Sequence, residues 1–310
     1  MKEGKHTDLS YDGKDGYDRY DGTYRPAACL TKRSDHTYLR DPDVSNRLKA
    51  GLDKALTPLK TWVQAKAPVK SRSLAGKSAE STSLSHQGKD TEAARANERD
   101  SMVVTQIISR GIRNPDVLAV MKTIPRHEFV PQEIRDNAYE DGALPIGCGQ
   151  TISQPYIVAL MTEVLRLTKD CRVLEIGTGC GYQTAVLASL CKKVYSIEIV
   201  AELAQETRHR LERLGVDNVE TRTGDGYRGW IEEAPFDRII VTAAPDHLPE
   251  HLFEQLVEGG RLIIPIGKGT QELMIFKLNH GRMEANRLIP VRFVPMTGEA
   301  MGWNGRRWGN

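Results

Sequence analysis

Short apolar segments and helical patterns alternate along the second half of the chain. Apolar runs of strand length, rich in Val and Ile, occupy residues 173–176, 194–197, 219–222, 238–241 and 261–264. Helical patterns at residues 182–190 and 201–214 separate the first three runs. This βαβαβ order is typical of a mainly parallel sheet that is covered by helices on both faces. The pattern therefore predicts an α/β fold with a doubly wound, mainly parallel sheet.

Two further patterns flank this region. Asn114 and Pro115 are typical of a helix start, with Asn as the cap and Pro at the first helical position. The apolar positions that follow predict a helix that Pro125 stops. Near the C-terminus, residues 273–293 predict additional strands, with a hairpin turn at residues 279–281.

Residues 1–100 differ from the rest of the chain in composition. They are polar, repeat Asp, Gly and Tyr near the start, and contain no Phe, Trp or Tyr between residues 66 and 100. Such a segment buries too little apolar surface to offset the entropy of ordering. We therefore predict a disordered polar extension at residues 1–100 that is dispensable for activity, with at most a transient amphipathic helix at residues 44–63. A catalytic domain is predicted at residues 101–300 and a C-terminal tail at residues 301–310.

Charge and composition argue against several classes of protein. The net charge is only +2, so the chain offers no global attraction to nucleic acid or to an anionic membrane. No apolar stretch approaches the ~20 residues of a membrane span, and no apolar N-terminal core indicates a secretory signal. The 5 cysteines form no C-x-x-C pair, which argues against a disulfide framework or a zinc site and favours a reducing cytoplasm. We expect a monomer.

A glycine-rich loop follows the first predicted strand. The sequence VLEIGTGCGY runs from that strand through Gly177, Gly179 and Gly181 into a helix. Glycines permit a tight turn and a close approach of a ligand to the backbone. A dinucleotide-binding fold usually has glycine where Tyr182 stands. The G-x-G-x-G pattern instead resembles motif I of class I methyltransferases, which bind S-adenosyl-L-methionine. A glycine-rich turn without a ligand is the alternative.

Acidic and polar residues around the loop favour ligand binding. Thr178 lies between the glycines, and Glu175 precedes them, where it can orient the loop or meet the ammonium group of the cofactor through solvent. Glu198 ends the next predicted strand, 21 residues after Gly177. In doubly wound folds an acid about 20 residues after the loop reaches the ribose hydroxyls, and both carboxylate oxygens of Glu198 can accept hydrogen bonds from them.

Two later strand ends complete the predicted cofactor site. Asp225 and Gly226 follow the third predicted strand, at the position where an acid contacts the adenine amino group in class I methyltransferases. An ordinary Asp-Gly turn is the alternative for these two residues. Thr242 follows the strand of the segment FDRIIVTAA, which is expected to face the methyl donor.

The region of residues 102–298 resembles the protein-L-isoaspartate (D-aspartate) O-methyltransferase family. The resemblance covers none of residues 1–100. Four stretches besides the glycine loop carry it: IPRHEFVP at 124–131, GQTISQPY at 149–156, VTAAP at 241–245 and RFVP at 292–295. The run TISQP is the most specific of them, because general methyltransferases do not carry it. Cys180 departs from the family pattern, which usually has Ser or another small residue at this position.

The resemblance implies a methyl transfer to the α-carboxylate of isoaspartyl residues in damaged proteins and peptides, which starts repair through a succinimide. A carboxylate is ionised at neutral pH, so no strong base is needed and positioning should dominate catalysis. Ser153 and Thr151 can donate hydrogen bonds to the acceptor without neutralising it. Without the resemblance, Ser153 would be interpreted as the N-cap of the helix that opens at Pro155.

Other interpretations stay open at the level of sequence. A methyltransferase of the same fold could act on a small molecule or on RNA, although no basic or aromatic RNA-binding motif is evident. A non-catalytic S-adenosylmethionine-binding module is a third possibility, and the intact segment around Thr151 and Ser153 argues against it. We expect a structural role for His127 and a packing role for Cys180.

Overall fold

A seven-stranded sheet forms the centre of the fold. The computed structural model describes residues 91–302, and the strand order of the large sheet is β5-β4-β3-β6-β7-β8-β9. A separate two-stranded sheet contains β1 and β2. The strands are β1 (Leu144–Gly147), β2 (Gln150–Ile152), β3 (Arg172–Ile176), β4 (Lys193–Glu198), β5 (Val219–Thr223), β6 (Phe236–Val241), β7 (Leu256–Ile266), β8 (Gln271–Asn279) and β9 (Arg282–Val291).

Strand directions confirm the mainly parallel sheet that the sequence predicts. β3 to β7 pair in parallel, whereas β8 and β9 form an antiparallel hairpin at one edge. Each predicted apolar run lies inside an observed strand, and the predicted hairpin turn separates β8 from β9. Because β4 and β5 lie on one side of β3 and β6 and β7 lie on the other, the chain reverses direction across the sheet between β3 and β6. Ligands of doubly wound folds bind at such a switch point, at the carboxyl ends of the strands.

Five α-helices lie within residues 91–302. They are α1 (Glu92–Met102), α2 (Pro115–Thr123), α3 (Pro155–Leu165), α4 (Tyr182–Ala188) and α5 (Ala201–Arg213). A π-helical turn at Val103–Ile107 continues α1, and short 3₁₀ turns connect other elements. The side chain of Asn114 caps α2 by accepting from the backbone N–H groups of Asp116 and Val117 at 3.0 and 3.1 Å, as predicted.

The side chains of β3, which alternate between the two faces of the sheet, show how each face is buried. Leu174 and Ile176 belong to a hydrophobic cluster with Phe236 on one face. Val173 belongs to a different cluster, which includes Met161 of α3. Since successive side chains of a strand point to opposite faces, a central strand with apolar residues on both faces must be covered twice. This arrangement leaves the strand ends as the accessible part of the sheet.

Helix α1 corrects the predicted boundary of the polar extension. It begins at Glu92, where the Thr91 side chain accepts from the N–H of Ala94, and it lies inside the segment that composition assigned to disorder. Its Arg95 and Arg99 are only 3% and 6% exposed. Arg99 donates to the carbonyl oxygen of Lys122 at 2.7 Å and to the Tyr139 hydroxyl at 3.2 Å. Polar groups elsewhere in the fold hold both arginines in place. Composition alone does not reveal these contacts.

Other sequence predictions fall outside the described residues. The possible helix at residues 44–63 and most of the tail at residues 301–310 belong to this group. Within residues 91–302, no helix has the length and apolar character needed to cross a membrane. The division of the chain into an extension, a catalytic domain and a tail stays a prediction.

Candidate active site

The ends of β3 and β6 meet at the switch point of the sheet. Thr242 donates its backbone N–H to the carbonyl oxygen of Ile176 at 2.9 Å. The Thr242 hydroxyl also donates to the carbonyl oxygen of Gly177 at 2.7 Å. Gly177 has a φ of +94°, and a Cβ at this position would collide with Thr242 Oγ1. Only glycine therefore allows the loop after β3 to lie this close to the end of β6.

An open cleft of about 830 Å³ lies over these strand ends. The structure brings almost all predicted site residues to its wall: Thr151, Ser153, Gly177, Thr178, Gly179, Glu198, Asp225, Gly226 and Thr242. Residues from five separate parts of the sequence thus converge on one cavity.

Glu198 is held at the wall of this cleft by two backbone donors. Its Oε2 accepts from the N–H of Gly179 at 2.7 Å, and its Oε1 accepts from the N–H of Val200 at 3.0 Å. The side chain is buried. Because each carboxylate oxygen has two lone pairs, each can still accept one hydroxyl proton. The geometry fits an acid that binds the two hydroxyl groups of a ribose.

Asp225 joins the cleft to the C-terminal part of the domain. Its Oδ1 accepts from the N–H of Tyr227 at 2.9 Å, and its Oδ2 accepts from the N–H of Glu299 at 2.7 Å. Gly226 packs against Ile176, whose side chain a Cβ at Gly226 would strike. These contacts fix a carboxylate at the cleft wall, where it can accept from an adenine amino group. The two acids and the glycine loop together fit the parts of S-adenosylmethionine.

Glu175 and Gly181 do not line this cleft. Glu175 is fully buried, and its Oε2 accepts from the hydroxyls of Thr184 and Ser196, both at 2.6 Å. Burial raises the pKa of Glu175 to about 7, although both hydroxyl contacts act in the opposite direction. Gly181 precedes α4, and a Cβ there would meet Thr207 of α5. Both residues pack behind the loop, which agrees with the prediction that Glu175 orients it, and their assignment to the cofactor site stays a prediction.

Thr151 and Ser153 lie where the cleft meets a second cavity. This neighbouring cavity encloses about 1070 Å³ of open space, and its wall shares Thr151, Ser153, Thr242 and Val294 with the first cleft. The other lining residues are Asp141, Gly142, Ala143, Gln154, Ile157, Pro290, Val291, Arg292 and Phe293. Two hydroxyl side chains thus stand where the cleft over the strand ends adjoins a second open space.

Ser153 is not the cap of the following helix. Helix α3 has Gln154 at its N-cap position, and no side chain caps it. The interpretation of Ser153 as an N-cap is therefore wrong, because the helix begins one residue too late for it. Within residues 91–302, the Ser153 hydroxyl has no hydrogen-bond partner, whereas its backbone carbonyl accepts from Arg126. The hydroxyl is available to a ligand.

His127 and Cys180 have the environments of structural residues. His127 Nδ1 lies 2.7 Å from the Tyr139 hydroxyl, away from both cavities. Burial lowers the pKa of His127 to about 4, so the ring is neutral at physiological pH. Cys180 lines the first cleft, but burial raises the pKa of its thiol. A neutral, buried thiol suits packing better than nucleophilic attack.

One segment of the site was not assigned from the sequence. Residues 294–297 line the cleft. The backbone of Ala244 holds them, donating to the carbonyl oxygen of Val294 at 2.9 Å and accepting from the N–H of Met296 at 2.8 Å. The RFVP motif was a signal for this segment, but the motif alone does not indicate that the chain returns across the end of β6.

Comparison with known proteins agrees with this geometry. A model of the family "Protein-L-isoaspartate(D-aspartate) O-methyltransferase (PCMT)" matches residues 97–301. The protein-L-isoaspartate O-methyltransferase of Opitutus terrae is 57% identical over 210 residues, which span 67% of this chain and 90% of the relative. That of Picosynechococcus sp. is 52% identical over 205 residues, which span 66% of this chain and 92% of the relative.

Solved structures give the same result. One protein-L-isoaspartate O-methyltransferase superimposes with a TM-score of 0.60 and 33% identity, covering 66% of this chain and 67% of the other. Another such structure comes from Plasmodium falciparum and is in complex with S-adenosyl-L-homocysteine. It superimposes with a TM-score of 0.57 and 29% identity, covering 64% of this chain and 98% of the other. By the extent of the family match and by the identity to these relatives, the chain belongs to the protein-L-isoaspartate (D-aspartate) O-methyltransferase family.

Proposed function

We propose that the chain transfers a methyl group from S-adenosylmethionine to the α-carboxylate of L-isoaspartyl residues in damaged proteins and peptides. The observation that carries this proposal is the junction of two cavities at Thr151, Ser153 and Thr242. One cavity has the acids and the glycine loop that suit an adenosyl ligand. The other is an open space that can admit a peptide.

The cofactor cleft places each recognition group on a rigid element. Glu198 ends β4 and Asp225 follows the neighbouring parallel strand β5, and backbone N–H groups fix both carboxylates. When bound, S-adenosylmethionine supplies a methyl group on a positively charged sulfur. Glu198 would hold the ribose and Asp225 the adenine amino group, so that the remaining part of the ligand lies towards Gly177 and Thr242.

The acceptor chemistry explains the choice of hydroxyl side chains at the junction. The attacking carboxylate is already an anion at neutral pH, so the site needs to orient it rather than to deprotonate it. Hydroxyl donors on Thr151 and Ser153 can hold one oxygen of the acceptor without a full positive charge. Orientation and exclusion of water are then the main contributions of the protein to the rate.

The methyl ester formed by this reaction is proposed to collapse to a succinimide, whose hydrolysis returns some normal aspartate. The cysteines at positions 148, 171, 180 and 191 are free thiols, which supports action in a reducing compartment such as the cytoplasm. Neither an RNA nor a small-molecule acceptor is favoured by the family or by a feature of the described residues.

Mass spectrometry of the product tests the proposal. An isoaspartyl peptide incubated with the protein and S-adenosylmethionine should gain one methyl group, lose methanol to give the succinimide, and yield a mixture of aspartyl and isoaspartyl peptide. Parallel incubations would contain structured RNA or free aspartate as the acceptor. A stable methylated product in either of these incubations, with no ester on the peptide, would contradict the proposal.

A further inference from the structure

Three side chains connect the buried acid behind the glycine loop to the cofactor cleft. Ser196 Oγ lies 2.6 Å from Glu175 Oε2 and 2.7 Å from Thr178 Oγ1. Glu175 and Ser196 are fully buried, and Thr178 is 5% exposed and lines the cleft. The side chains therefore form a continuous chain from the sheet interior to the ligand space. Since Glu175 itself does not reach the cleft, any hydrogen-bonded effect of Glu175 on a ligand must pass through this chain.

Counting hydrogen atoms fixes the direction of these bonds. A serine hydroxyl has one proton, and an ionised carboxylate can only accept. When Glu175 is ionised, the proton of Ser196 is committed to Glu175. The short contact between Ser196 and Thr178 then requires Thr178 to donate. The Thr178 hydroxyl consequently has no proton left for the cleft and presents only its lone pairs to a ligand.

We infer that Ser196 is a positioning residue, which relays the protonation state of Glu175 to Thr178 and so decides whether Thr178 accepts or donates in the cofactor cleft. This inference rests on the proposed function, because it takes the ligand of the cleft to be an adenosyl amino acid. With Glu175 ionised, Thr178 accepts, which suits the ammonium group of that ligand's amino-acid part. The relay thus contributes to selection of a ligand that carries this group.

Protonation of Glu175 reverses the relay. Glu175 Oε1 is buried and has no hydrogen-bond partner within the described residues, so a proton there would lack an acceptor. A proton taken from solvent is instead best placed on Oε2, where it donates to Ser196. Ser196 then donates to Thr178, and the Thr178 proton turns into the cleft. The two hydroxyl groups rotate, and none of their O–H bonds breaks.

The surroundings of Glu175 place this reversal near neutral pH. Burial raises its pKa to about 7, and the nearby carboxylate of Glu198 on β4 acts in the same direction. Cys191 also faces Glu175, but burial raises the pKa of this thiol to about 12, so it stays neutral. Thr184 adds a second hydroxyl donor to Glu175 Oε2 without belonging to the path towards the cleft.

Calorimetric titration of the full-length protein with two ligands tests the inference. S-adenosyl-L-homocysteine carries the ammonium group, whereas 5′-methylthioadenosine has the same adenosyl part without it. Between about pH 8.5 and 5.5, the affinity for the first ligand should fall roughly three- to tenfold, the value of one hydrogen bond. The affinity for the second ligand should stay constant, because contacts to the ribose and the adenine are common to both.

Three variants separate the relay from general effects on the site. Ser196→Ala and Thr178→Val should each remove the pH dependence for S-adenosyl-L-homocysteine, and the second does so without disturbing the bond between Ser196 and Glu175. Thr184→Val should keep the pH dependence of the affinity for S-adenosyl-L-homocysteine and move the midpoint of that dependence to higher pH. The reason is the loss of the hydrogen bond from Thr184, which stabilises the ionised form of Glu175. Thermal unfolding would verify that each variant is folded.

The outcomes distinguish this inference from the proposed function. Equal pH dependence for both ligands, or an unchanged dependence in folded Ser196→Ala and Thr178→Val proteins, would overturn the relay while leaving methyl transfer possible. Failure of the wild-type protein to bind either ligand would instead contradict the proposed cofactor site itself.

Discussion

Arg126 donates from its Nη2 to the backbone carbonyl oxygen of Ser153 at 2.8 Å. Arg126 is fully buried, and its guanidinium group also donates to Ala138 and lies 4.9 Å from the centre of the Tyr182 ring. No carboxylate within the described residues forms an ion pair with it. The backbone of Ser153 is therefore held from the protein interior. Its hydroxyl is left to face the junction of the two cavities.

Replacement of Ser153 by Ala should slow methyl transfer without loss of stability. One lost polar contact to the acceptor corresponds to about 1–3 kcal/mol of transition-state stabilisation, or roughly a five- to hundredfold lower kcat/KM. Because Ser153 does not cap α3, the free energy of unfolding should change by less than about 0.5 kcal/mol. Steady-state kinetics with an isoaspartyl peptide and urea unfolding would measure both quantities.

The exposed Ser109 provides a matched control for this substitution. Ser109→Ala should leave kcat/KM unchanged. A Ser153→Ala protein that is stable and fully active would remove Ser153 from the reaction.

Replacement of Glu198 by Ala should weaken cofactor binding more than it slows the chemical step. Hydrogen bonds to a charged group contribute roughly 1.5–3 kcal/mol, so the affinity for S-adenosyl-L-homocysteine should fall about ten- to hundredfold. Glu198→Gln retains one acceptor oxygen and should give a smaller loss. Calorimetry measures the affinity, and wild-type affinity in the Ala variant would show that Glu198 does not bind the ribose.

The mainly parallel direction of the strands was predictable because it follows from the βαβ alternation along the chain. Apolar runs and helical periodicity define β3, α4 and β4, and parallel strands bring the residues after them to one edge of the sheet. The positions of Glu198, Asp225 and Thr242 at the cleft follow from that rule alone. Ser153 was assigned through the resemblance, and its local sequence pointed to a helix cap instead.

The remaining features depend on contacts between distant residues. Glu175 can be buried because the hydroxyl groups of Thr184 and Ser196, which lie on other elements, donate hydrogen bonds to it. Helix α1 escaped prediction because its Arg95 and Arg99 are buried through Asp136, Lys122 and Tyr139. A composition rule counts arginine as a solvent-exposed residue, and it has no information on these partners.

Truncation should separate the extension from α1. Removal of residues 1–90 should leave kcat/KM and thermal stability close to those of the full chain. Removal of residues 1–100 also deletes Arg95 and Arg99, which leaves the buried Tyr139 hydroxyl and the Asp136 carboxylate without these donors. The loss of stability should be about 1–3 kcal/mol, the usual cost of removing a partner from a buried polar group. Equal melting temperatures for the two truncated proteins would contradict the structural role assigned to α1.

Glu175 should make the protein less stable as the pH rises. Its folded-state pKa of about 7 lies above the ordinary value of 4.5, so folding favours the protonated form. The contribution to stability is present below pH 4.5 and is lost as the pH rises through about 7, by about 3 kcal/mol in total. Glu175→Gln does not titrate, and its free energy of unfolding should fall less than that of the wild type between about pH 5 and pH 8.

Urea unfolding at the two pH values measures this difference. The exposed Glu206 is the control position, and Glu206→Gln should retain the pH dependence of the wild type. The same loss of stability in the Glu175→Gln protein and in the wild type would show that the buried carboxyl group does not titrate in this range.

The assignment of this chain as an isoaspartyl methyltransferase is tested most directly with a pair of peptides that differ only in the linkage at one aspartate. The purified protein would be incubated with tritiated S-adenosylmethionine and either the isoaspartyl peptide or its normal aspartyl twin, and base-labile methyl groups would be counted. We expect label on the isoaspartyl peptide and none above background on its twin. Equal labelling of the two peptides, or no labelling of the isoaspartyl peptide by a protein that binds S-adenosyl-L-homocysteine, would contradict this assignment.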